Sequence, residues 1–268
     1  TGLKPAIDKV VLKELIKKPT KPFLKWVGGK TQLLYELKKY IPKNFNTYIE
    51  PFVGGGALLF DLAPQKAIIN DANEELINTY IVLRDEVDDL ISELSTYIYD
   101  TEFYYKMRAQ NPKNLSEIER AARTIYLNKT CFNGLYRVNK KGEFNVPIGR
   151  YTNPTICGEE KLRNAHVALQ NVTIECEDFI KVLRRYAEKG DLIYIDPPYH
   201  PVGKHSDFKR YTKDFFYKED QIALRELIIE LKSRGCFVIA SNSYCDFILD
   251  LYKDFEIKVV SARRYINK

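Results

Sequence analysis

The tetrapeptide Asp196-Pro197-Pro198-Tyr199 carries the clearest chemical groups in the chain. It follows the apolar run 191–195, which predicts a buried strand that ends at this loop. Proline lacks an N–H and has a fixed φ, so the loop offers carbonyl oxygens on a stiff backbone beside the Asp196 carboxylate. Two such acceptors can polarise an exocyclic amine like that of a nucleobase, and Tyr199 can stack on the base. A strand followed by a plain polar turn is the alternative interpretation.

A glycine turn near the start of the chain predicts how the fold begins. Gly54-Gly55-Gly56 follows the predicted strand 47–50, precedes the predicted helix 57–62, and is succeeded by the predicted strand 67–71. Strand, glycine turn, helix and strand in this order predict a βαβ unit of a doubly wound parallel sheet. Glycine also lets the backbone approach a ligand closely, because it has no Cβ.

The same turn departs from a dinucleotide-binding fingerprint, because Leu59 stands where the last glycine of Gly-x-Gly-x-x-Gly would be. Asp71, at the tip of the second strand, can accept hydrogen bonds from both hydroxyls of a ribose. A nucleoside without a pyrophosphate fits both facts, and S-adenosylmethionine is such a ligand. Asp178 and Phe179 follow another predicted strand, 172–176, and would add a carboxylate and an aromatic face suited to its adenine.

The composition of the chain indicates which partners, metal sites and membrane segments to expect. The 268 residues carry a net charge of +6, which favours a polyanionic partner. Basic residues cluster in the first thirty positions and again within 129–150, and a solvated face is the alternative interpretation of each cluster. The five cysteines form no Cys-x-x-Cys pair and the three histidines are scattered, so we predict neither a disulfide framework nor a metal site. Without an apolar run of about 18 residues or a leader h-region, the chain is predicted to be cytoplasmic, with no membrane segment.

The order of predicted elements indicates a split sheet. After the βαβ unit come helical patterns at 73–94 and 116–129 and a stretch rich in glycine and aromatic residues, and the α/β alternation then returns. Residues from about 74 to 165 are therefore predicted to form a lobe inserted into the sheet. The remaining predictions are a helical lead to Lys18, a glycine turn at 28–29 that enters a helix, strands 191–195 and 236–240, helix 218–233 and a last strand, 256–260.

Five motifs follow one another along the chain at 23–30, 50–56, 132–137, 144–151 and 196–199. In this order they resemble the Dam family of DNA adenine methyltransferases, which are D12, or alpha-class, amino-methyltransferases and include the DpnII-type enzymes. The resemblance covers 21–266 and implies a doubly wound, mostly parallel Rossmann-like methyltransferase sheet with an inserted, mainly helical target-recognition lobe. It assigns 1–73 and 166–268 to the catalytic domain that binds S-adenosylmethionine, and 74–165 to the DNA-binding domain.

The resemblance also implies roles for single residues at the reaction centre. Lys30 would pair its ammonium with the carboxylate of the methionine moiety. Asp196, Pro197, Pro198 and Tyr199 would hold an adenine flipped out of the duplex. The complete set of cofactor-binding residues that it implies is Trp26, Lys30, Phe52, Gly54, Gly56, Asp71, Asp178 and Phe179.

The inserted lobe would read the DNA. The resemblance implies that Arg137 pairs with guanine through O6 and N7. Leu135 and Pro147 would contact a thymine methyl, and Phe132 would wedge into the duplex. Contacts to the ends of the target or to the backbone are implied for Lys25 and Asn133, and Tyr151 is a further implied DNA-binding residue. These matches favour GATC as the target.

We therefore expect direct methyl transfer to the exocyclic N6 amine of adenine in double-stranded DNA. No Pro-Cys pair follows a strand, as attack on a cytosine ring carbon would require, and the chain lacks the motif pattern of zinc-dependent deaminases. RNA or protein amines as substrates, and an inactive DNA-binding protein, remain alternatives. A cognate restriction endonuclease is a partner if the enzyme guards DNA; marking replication and regulating genes are the other roles left open.

Overall fold

The computed structural model describes residues 17–26, 33–139, 141–198 and 216–260. Two predicted site residues, Lys30 and Tyr199, lie outside these ranges, as do the turn at 28–29 and almost all of the predicted helical lead. No helix within the described ranges is long and apolar enough to cross a membrane.

In the part of the chain that the structure describes, five parallel strands form one sheet in the order β3-β2-β1-β4-β5. Successive strands extend from β1 to one side and from β4 to the other, so the topological switch point lies between β1 and β4. The predicted doubly wound parallel sheet is thus confirmed. The strands are β1 (Tyr48–Glu50), β2 (Ala67–Asn70), β3 (Val172–Glu175), β4 (Leu192–Ile195) and β5 (Phe237–Ala240).

Helices connect the strands and fill the inserted stretch. Local signals explain several starts: the Asn73 side chain caps one helix, and Ser116 with Glu119 forms a capping box at another. The helices of the described ranges are α1 (Leu34–Lys38), α2 (Ala57–Leu62), α3 (Glu74–Asp85), α4 (Val87–Ser95), α5 (Thr101–Ala109), α6 (Glu117–Thr130), α7 (Glu159–Leu169), α8 (Phe179–Tyr186), α9 (Lys218–Ser233) and α10 (Asp246–Leu251), with short 3-10 turns at Pro112–Asn114 and Phe132–Gly134.

Side chains alternate between the two faces of the sheet, as the pleat of a strand requires. Tyr48 and Tyr194 point to one face and share a core with residues of α2, α3, α4, α6 and α7. Ile49 and Ile193 point to the other face and pack with α8 and α9. The sheet is therefore covered on both sides, which accounts for its nearly continuous apolar strands.

A third buried cluster lies within the inserted stretch and includes Tyr104, Tyr126, Cys131 and Phe144. Helices α3 and α4 belong instead to the core on the sheet. The stretch 74–165 thus begins with helices that cover the sheet and continues into a part with its own core. The division of the chain into two domains at these boundaries stays a prediction.

The predicted last strand, 256–260, is wrong. The backbone there is irregular, and Ile257, Val259 and Val260 are exposed. An alternating apolar pattern forms a strand only where a neighbouring edge supplies hydrogen bonds to the backbone. Within the described residues, 256–260 pairs with no strand.

Asn128 holds the segment 17–26 against α6. Its Oδ1 accepts a hydrogen bond from the Lys25 backbone N–H at 2.9 Å, and its Nδ2 donates to the Lys25 carbonyl at 2.7 Å. Nδ2 also lies 3.4 Å from the Gly134 carbonyl. A side-chain amide thus satisfies the backbone of a segment that belongs to no strand or helix.

We expect Asn128→Ala to lower the free energy of unfolding by about 1–3 kcal/mol, because it leaves partly buried backbone groups without this partner. Urea unfolding followed by circular dichroism would measure the loss. Asn114→Ala, at an exposed position, should change stability by less than about 0.5 kcal/mol. Equal effects of the two substitutions would contradict a bracing role for Asn128.

Candidate active site

The predicted acids and aromatic residues meet at the carboxyl edge of the sheet. Phe52 follows β1, Asp71 follows β2, Asp178 follows β3 and Asp196 follows β4. In a parallel sheet all these strand ends face the same way, and ligands bind at this edge beside the topological switch point. The fold therefore brings together residues that are far apart in sequence. At the opposite end of β1 and β4, the Thr47 N–H likewise donates to the side chain of Asp191, 144 positions away.

The glycine turn after β1 needs its glycines. Gly54 and Gly56 have φ values of +48° and +66°, in the left-handed region that glycine adopts without strain. A Cβ added at Gly54 would lie 2.7 Å from Cδ1 of Trp26, and one at Gly56 would lie 2.7 Å from the Tyr80 hydroxyl. The Gly54 carbonyl accepts a hydrogen bond from that hydroxyl at 3.0 Å. Trp26, predicted to bind the cofactor, thus lies directly against the turn.

Asp71 shapes the same turn. Its Oδ2 accepts from the Gly54 N–H and its Oδ1 from the Asn73 N–H, both at 3.0 Å. Burial raises the pKa of this carboxyl, although backbone hydrogen bonds from Asn73, Gly54 and Ala72 oppose the shift. A carboxylate oxygen can accept more than one hydrogen bond, so these contacts are compatible with the predicted bonds to ribose hydroxyls.

Asn70 was missed by the sequence analysis. This side chain is 1% exposed; its Nδ2 donates to the carbonyls of Pro51 and Glu177, each at 3.1 Å, and its Oδ1 accepts from the Glu177 N–H at 2.9 Å. It ties the loop after β1 to the loop after β3. The available signal was an amide at the end of an otherwise apolar strand, where a buried polar group must find partners.

An aromatic cluster borders the loop after β3. The rings of Phe52 and Phe179 have centroids 5.0 Å apart, and Phe216 lies 5.8 Å from each of them. Phe216 carried no sequence signal, because it follows no strand and belongs to no motif. Asp178 caps α8 by accepting hydrogen bonds from the N–H groups of Ile180 and Lys181. Its predicted contact with the cofactor remains a prediction.

The residues on this side of the edge fit an adenosine-containing group. A backbone turn without Cβ atoms permits close approach, Asp71 supplies a carboxylate for hydroxyls, and Phe52 and Phe179 supply aromatic faces. All of them come from loops at one end of the sheet. The chemistry of this set of groups agrees with the predicted nucleoside ligand.

Hydrogen bonds from neighbouring elements hold the loop after β4 in place. The Pro198 carbonyl accepts from Nε2 of Gln221 at 3.3 Å, and Oε1 of that fully buried Gln221 accepts from Nδ2 of Asn242 at 2.9 Å. The Ser241 N–H donates to the Ile195 carbonyl at 2.8 Å. Pro197 is buried and Pro198 exposed. The Pro198 carbonyl thus supports the loop, and Gln221 is a second supporting residue that the sequence analysis missed.

Asp196 lies near Tyr48 and Glu50, a buried hydrogen-bonded pair in β1. The Tyr48 hydroxyl donates to Oε2 of Glu50 at 2.8 Å, and both side chains are buried. Burial and then the Glu50 charge raise the pKa of Tyr48 well above its ordinary value, with a smaller contribution from Asp196. Tyr48 therefore stays protonated and serves as a hydrogen-bond donor beside the loop.

The two stretches predicted to contact DNA form one antiparallel hairpin, 131–148. Cys131 pairs with Ile148 and Val138 with Phe144, and the Phe132 N–H donates to the Pro147 carbonyl at 2.9 Å. On this hairpin Phe132, Asn133 and Pro147 are exposed, whereas Leu135 and Arg137 are partly buried. Nε of Arg137 donates to Oδ1 of Asn145 across the hairpin at 2.9 Å. The structure thus brings these five predicted residues onto one element.

Lys25 and Tyr151, also predicted to contact DNA, lie beside the hairpin. The Lys25 ammonium is 5.6 Å from the centroid of the Tyr151 ring. The side chain of Lys25 also packs against Gly134, which has a positive φ. A Cβ added at this glycine would lie 2.6 Å from Cδ of Lys25. Nearby, burial followed by the charges of Lys161 and Lys25 lowers the pKa of Lys129 to about 8.

Tyrosine hydroxyls fasten the main chain of the hairpin. Tyr151 donates to the Cys131 carbonyl at 2.9 Å and Tyr104 to the Val146 carbonyl at 2.9 Å. Tyr99 donates to the carbonyl of Gly149, the residue that follows the hairpin, at 2.5 Å. The shape of the hairpin therefore depends on bonds to its backbone more than on its exposed side chains.

Comparison with known proteins identifies a family pattern along most of the chain. The family model described as D12 class N6 adenine-specific DNA methyltransferase matches residues 26–266. The chain is 48% identical to the Type II methyltransferase M.MjaIII of Methanocaldococcus jannaschii over 269 residues, which cover 92% of this chain and 93% of that protein. It is 44% identical to the Type II methyltransferase M1.LlaDCHI of Lactococcus lactis (91% and 88% covered) and 34% identical to the DNA adenine methylase of Escherichia coli K12 (93% and 90%).

We expect Gly54→Ala to destabilise the glycine turn by about 1–3 kcal/mol, because alanine at positive φ is strained and its Cβ would collide with Trp26. Thermal unfolding would measure the loss, and the emission of Trp26, the single tryptophan, would report the displaced ring. Gly158→Ala is the matched control, since an added Cβ there meets nothing closer than 3.9 Å. An unchanged emission spectrum in Gly54→Ala would contradict the packing of Trp26 against this turn.

Proposed function

This chain belongs to the family of D12 class N6 adenine-specific DNA methyltransferases, and from that premise we propose that it uses S-adenosylmethionine to methylate the N6 amine of adenine in GATC. The observation that carries the proposal is a single sheet edge that bears both the glycine turn with Asp71 and the loop of Asp196 and Pro197. A methyl donor and an amine acceptor must meet. The glycine turn follows β1, and Asp71 and the loop of Asp196 follow β2 and β4, the strands on either side of it.

The proposed cofactor site comprises the glycine turn and the residues around it. Asp71 would accept hydrogen bonds from the ribose hydroxyls, and Phe52 and Phe179 would flank the adenine. Trp26 would border the cofactor where it packs against Gly54. When bound, S-adenosylmethionine supplies a methyl group on a sulfonium, which is a good leaving group. Asp178 and Lys30 complete the proposed set, the latter through its ammonium.

The proposed amine site is the loop after β4. The Asp196 carboxylate and the Pro197 carbonyl would each accept one hydrogen of the adenine amine, which draws the nitrogen toward tetrahedral geometry and frees its lone pair for attack. Gln221 would contribute indirectly, because it fixes the Pro198 carbonyl and with it the loop. Tyr199 would stack on the base. This reaction requires no covalent bond between enzyme and substrate.

The hairpin 131–148 would recognise the target. Extrusion of a base costs a few kcal/mol, so the hairpin must supply compensating contacts. Arg137, oriented by Asn145, would pair with guanine O6 and N7, and Leu135 and Pro147 would contact a thymine methyl. Phe132, exposed on the hairpin, would insert as a wedge. The remaining proposed contacts, to the ends of the target or its backbone, are made by Lys25, Asn133 and Tyr151.

The names of the relatives support a further part of the proposal. Two of them are called Type II methyltransferases, a name that belongs to restriction-modification systems. On that ground a cognate restriction endonuclease is the proposed partner of this enzyme. RNA and protein amines are not proposed as substrates, because the family is specific for adenine in DNA.

The reaction can be tested with tritiated S-adenosylmethionine and two duplexes of equal composition, one with GATC and one with that site scrambled. We expect label in adenine of the first duplex only. Asp196→Ala should reduce this incorporation roughly 100-fold or more, because the amine loses a polarising acceptor. Asp250→Ala removes an exposed aspartate and is the matched control.

The outcomes of this assay separate the parts of the proposal. Label in both duplexes would preserve the chemistry and refute GATC as the target. Label in neither duplex would refute the reaction as proposed. Near-normal turnover by Asp196→Ala would remove Asp196 from the amine site.

We expect Arg137→Ala to lower discrimination between GATC and sites altered at the guanine by about 1–3 kcal/mol, since the bidentate pairing is lost. Competition between duplexes in the same tritium assay would give this ratio. Arg163→Ala, which removes an exposed arginine paired with Glu159, is the control for loss of positive charge. A site preference unchanged by Arg137→Ala would assign guanine recognition to another residue.

A further inference from the structure

Tyr136 lies between two proposed DNA contacts, Leu135 and Arg137, yet its own side chain points into the protein. It is 8% exposed, and its ring stacks on Trp26 with centroids 5.1 Å apart and planes 24° apart. The edge-on ring of Phe144, from the other strand of the hairpin, lies 5.5 Å away. Tyr136 therefore contacts both strands of the hairpin and the segment 17–26.

Trp26 connects Tyr136 to the glycine turn, because it packs against both. Its ring is so close to Gly54 that an added Cβ would lie 2.7 Å from Cδ1, and at Gly55 an added Cβ would lie 2.9 Å from the tryptophan Cβ. Trp26 also packs against both the core on the sheet and the core of the hairpin. A shift of the turn would therefore move the ring on which Tyr136 stacks.

A second connection links the same two places through hydrogen bonds. The side chain of Asn73 is hydrogen-bonded to the phenol of Tyr136. The N–H of Asn73 donates to Asp71, whose other oxygen accepts from the Gly54 N–H, both at 3.0 Å. The contacts form a closed ring of Tyr136, Trp26, Gly54, Asp71 and Asn73.

We propose that Tyr136 is a positioning residue that couples the target-recognition hairpin to the cofactor-binding turn, so that cofactor and cognate DNA each strengthen the binding of the other. This inference rests on the proposed function, because it takes the turn as the cofactor site and the hairpin as the DNA reader. Tyr136 itself touches neither ligand. It acts by linking the turn, through Trp26 and Asn73, to the backbone between Leu135 and Arg137.

The physical basis is a shared ordering of one packed unit. A ligand that holds Asp71 and the turn in place also holds Trp26 and Asn73, and these two fix Tyr136 and the hairpin backbone. The second ligand then binds a surface that is already ordered. Thermodynamic linkage requires the effect to be equal in both directions: the factor by which DNA tightens the cofactor must equal the factor by which the cofactor tightens DNA.

The test measures that factor by calorimetry with S-adenosylhomocysteine, alone and in the presence of saturating GATC duplex. For the unaltered enzyme we expect the duplex to tighten binding about fivefold or more, within the usual range of coupling between sites. Tyr136→Leu, which removes both the stacking and the hydrogen bond, should bring the factor close to one. Tyr136→Phe, which keeps the stacking and removes only the hydroxyl, should give an intermediate factor even if the leucine variant folds poorly.

Tyr126→Phe is the matched control, because Tyr126 is a buried tyrosine of the same core whose hydroxyl bonds to the Ile98 carbonyl, away from the hairpin. It should leave the factor unchanged. Without DNA, Tyr136→Phe and Tyr136→Leu should bind S-adenosylhomocysteine with an affinity within about threefold of the unaltered enzyme. A variant that has lost this binding has a general structural defect.

The proposal is overturned if Tyr136→Phe keeps the full factor, or if the unaltered enzyme methylates GATC without any mutual tightening. Failure of the proposed function is a different result, because the unaltered enzyme would then fail to label adenine in the tritium assay. The reciprocal measurement, duplex affinity with and without S-adenosylhomocysteine, must change by the same factor in each variant.

Discussion

Loops at the carboxyl edge of the sheet carry the proposed donor and acceptor sites, and their backbone groups need hydrogen-bond partners that no strand supplies. Buried and partly buried side chains provide these partners. Asn70 and Asp71, at the end of β2, hold the loops after β1 and β3. Gln221, from α9, holds the loop after β4. The positions of the proposed donor and acceptor sites therefore depend on a few amides and one carboxylate, each of which would be costly to leave without its partner.

The segment 17–26 has a similar role between the sheet and the hairpin. Asn128 binds its backbone, Lys129 donates to the Phe23 carbonyl, and Trp26 packs against two of the three cores. This irregular segment thus lies between the part proposed to hold the cofactor and the part proposed to read DNA. Its lack of regular structure matters little, because its neighbours satisfy its polar groups.

Sequence reasoning predicted elements whose causes are local. The glycine turn, α2 and α9, and the central strands follow from glycine geometry, helical spacing and apolar runs, and their placement at one edge follows from parallel topology. The hairpin was predicted only as two separate motifs, since the pairing of Cys131 with Ile148 is a tertiary fact. The prediction of a strand at 256–260 was wrong for the same reason, because a strand forms only where a neighbouring strand supplies hydrogen bonds.

Supporting residues were the hardest to predict. Asn70, Gln221 and Phe216 look like ordinary members of a strand end, a helix and a loop, and their partners lie far away in sequence or across the sheet edge. Asp71 and Asp178 were expected to act on a ligand, yet each also organises local backbone. A motif indicates which atoms can react, whereas the hydrogen bonds that orient those atoms become visible only in three dimensions.

The fastening of the hairpin by tyrosine hydroxyls has an evolutionary consequence. Tyr99, Tyr104 and Tyr151 bind main-chain carbonyls, which every amino acid possesses. Replacement of an outward-facing side chain such as Phe132 or Pro147 therefore leaves these fastenings in place. New side chains can be sampled there with little risk of unfolding. If the hairpin reads the target as proposed, a lineage can explore different target sequences while it retains the same scaffold and reaction.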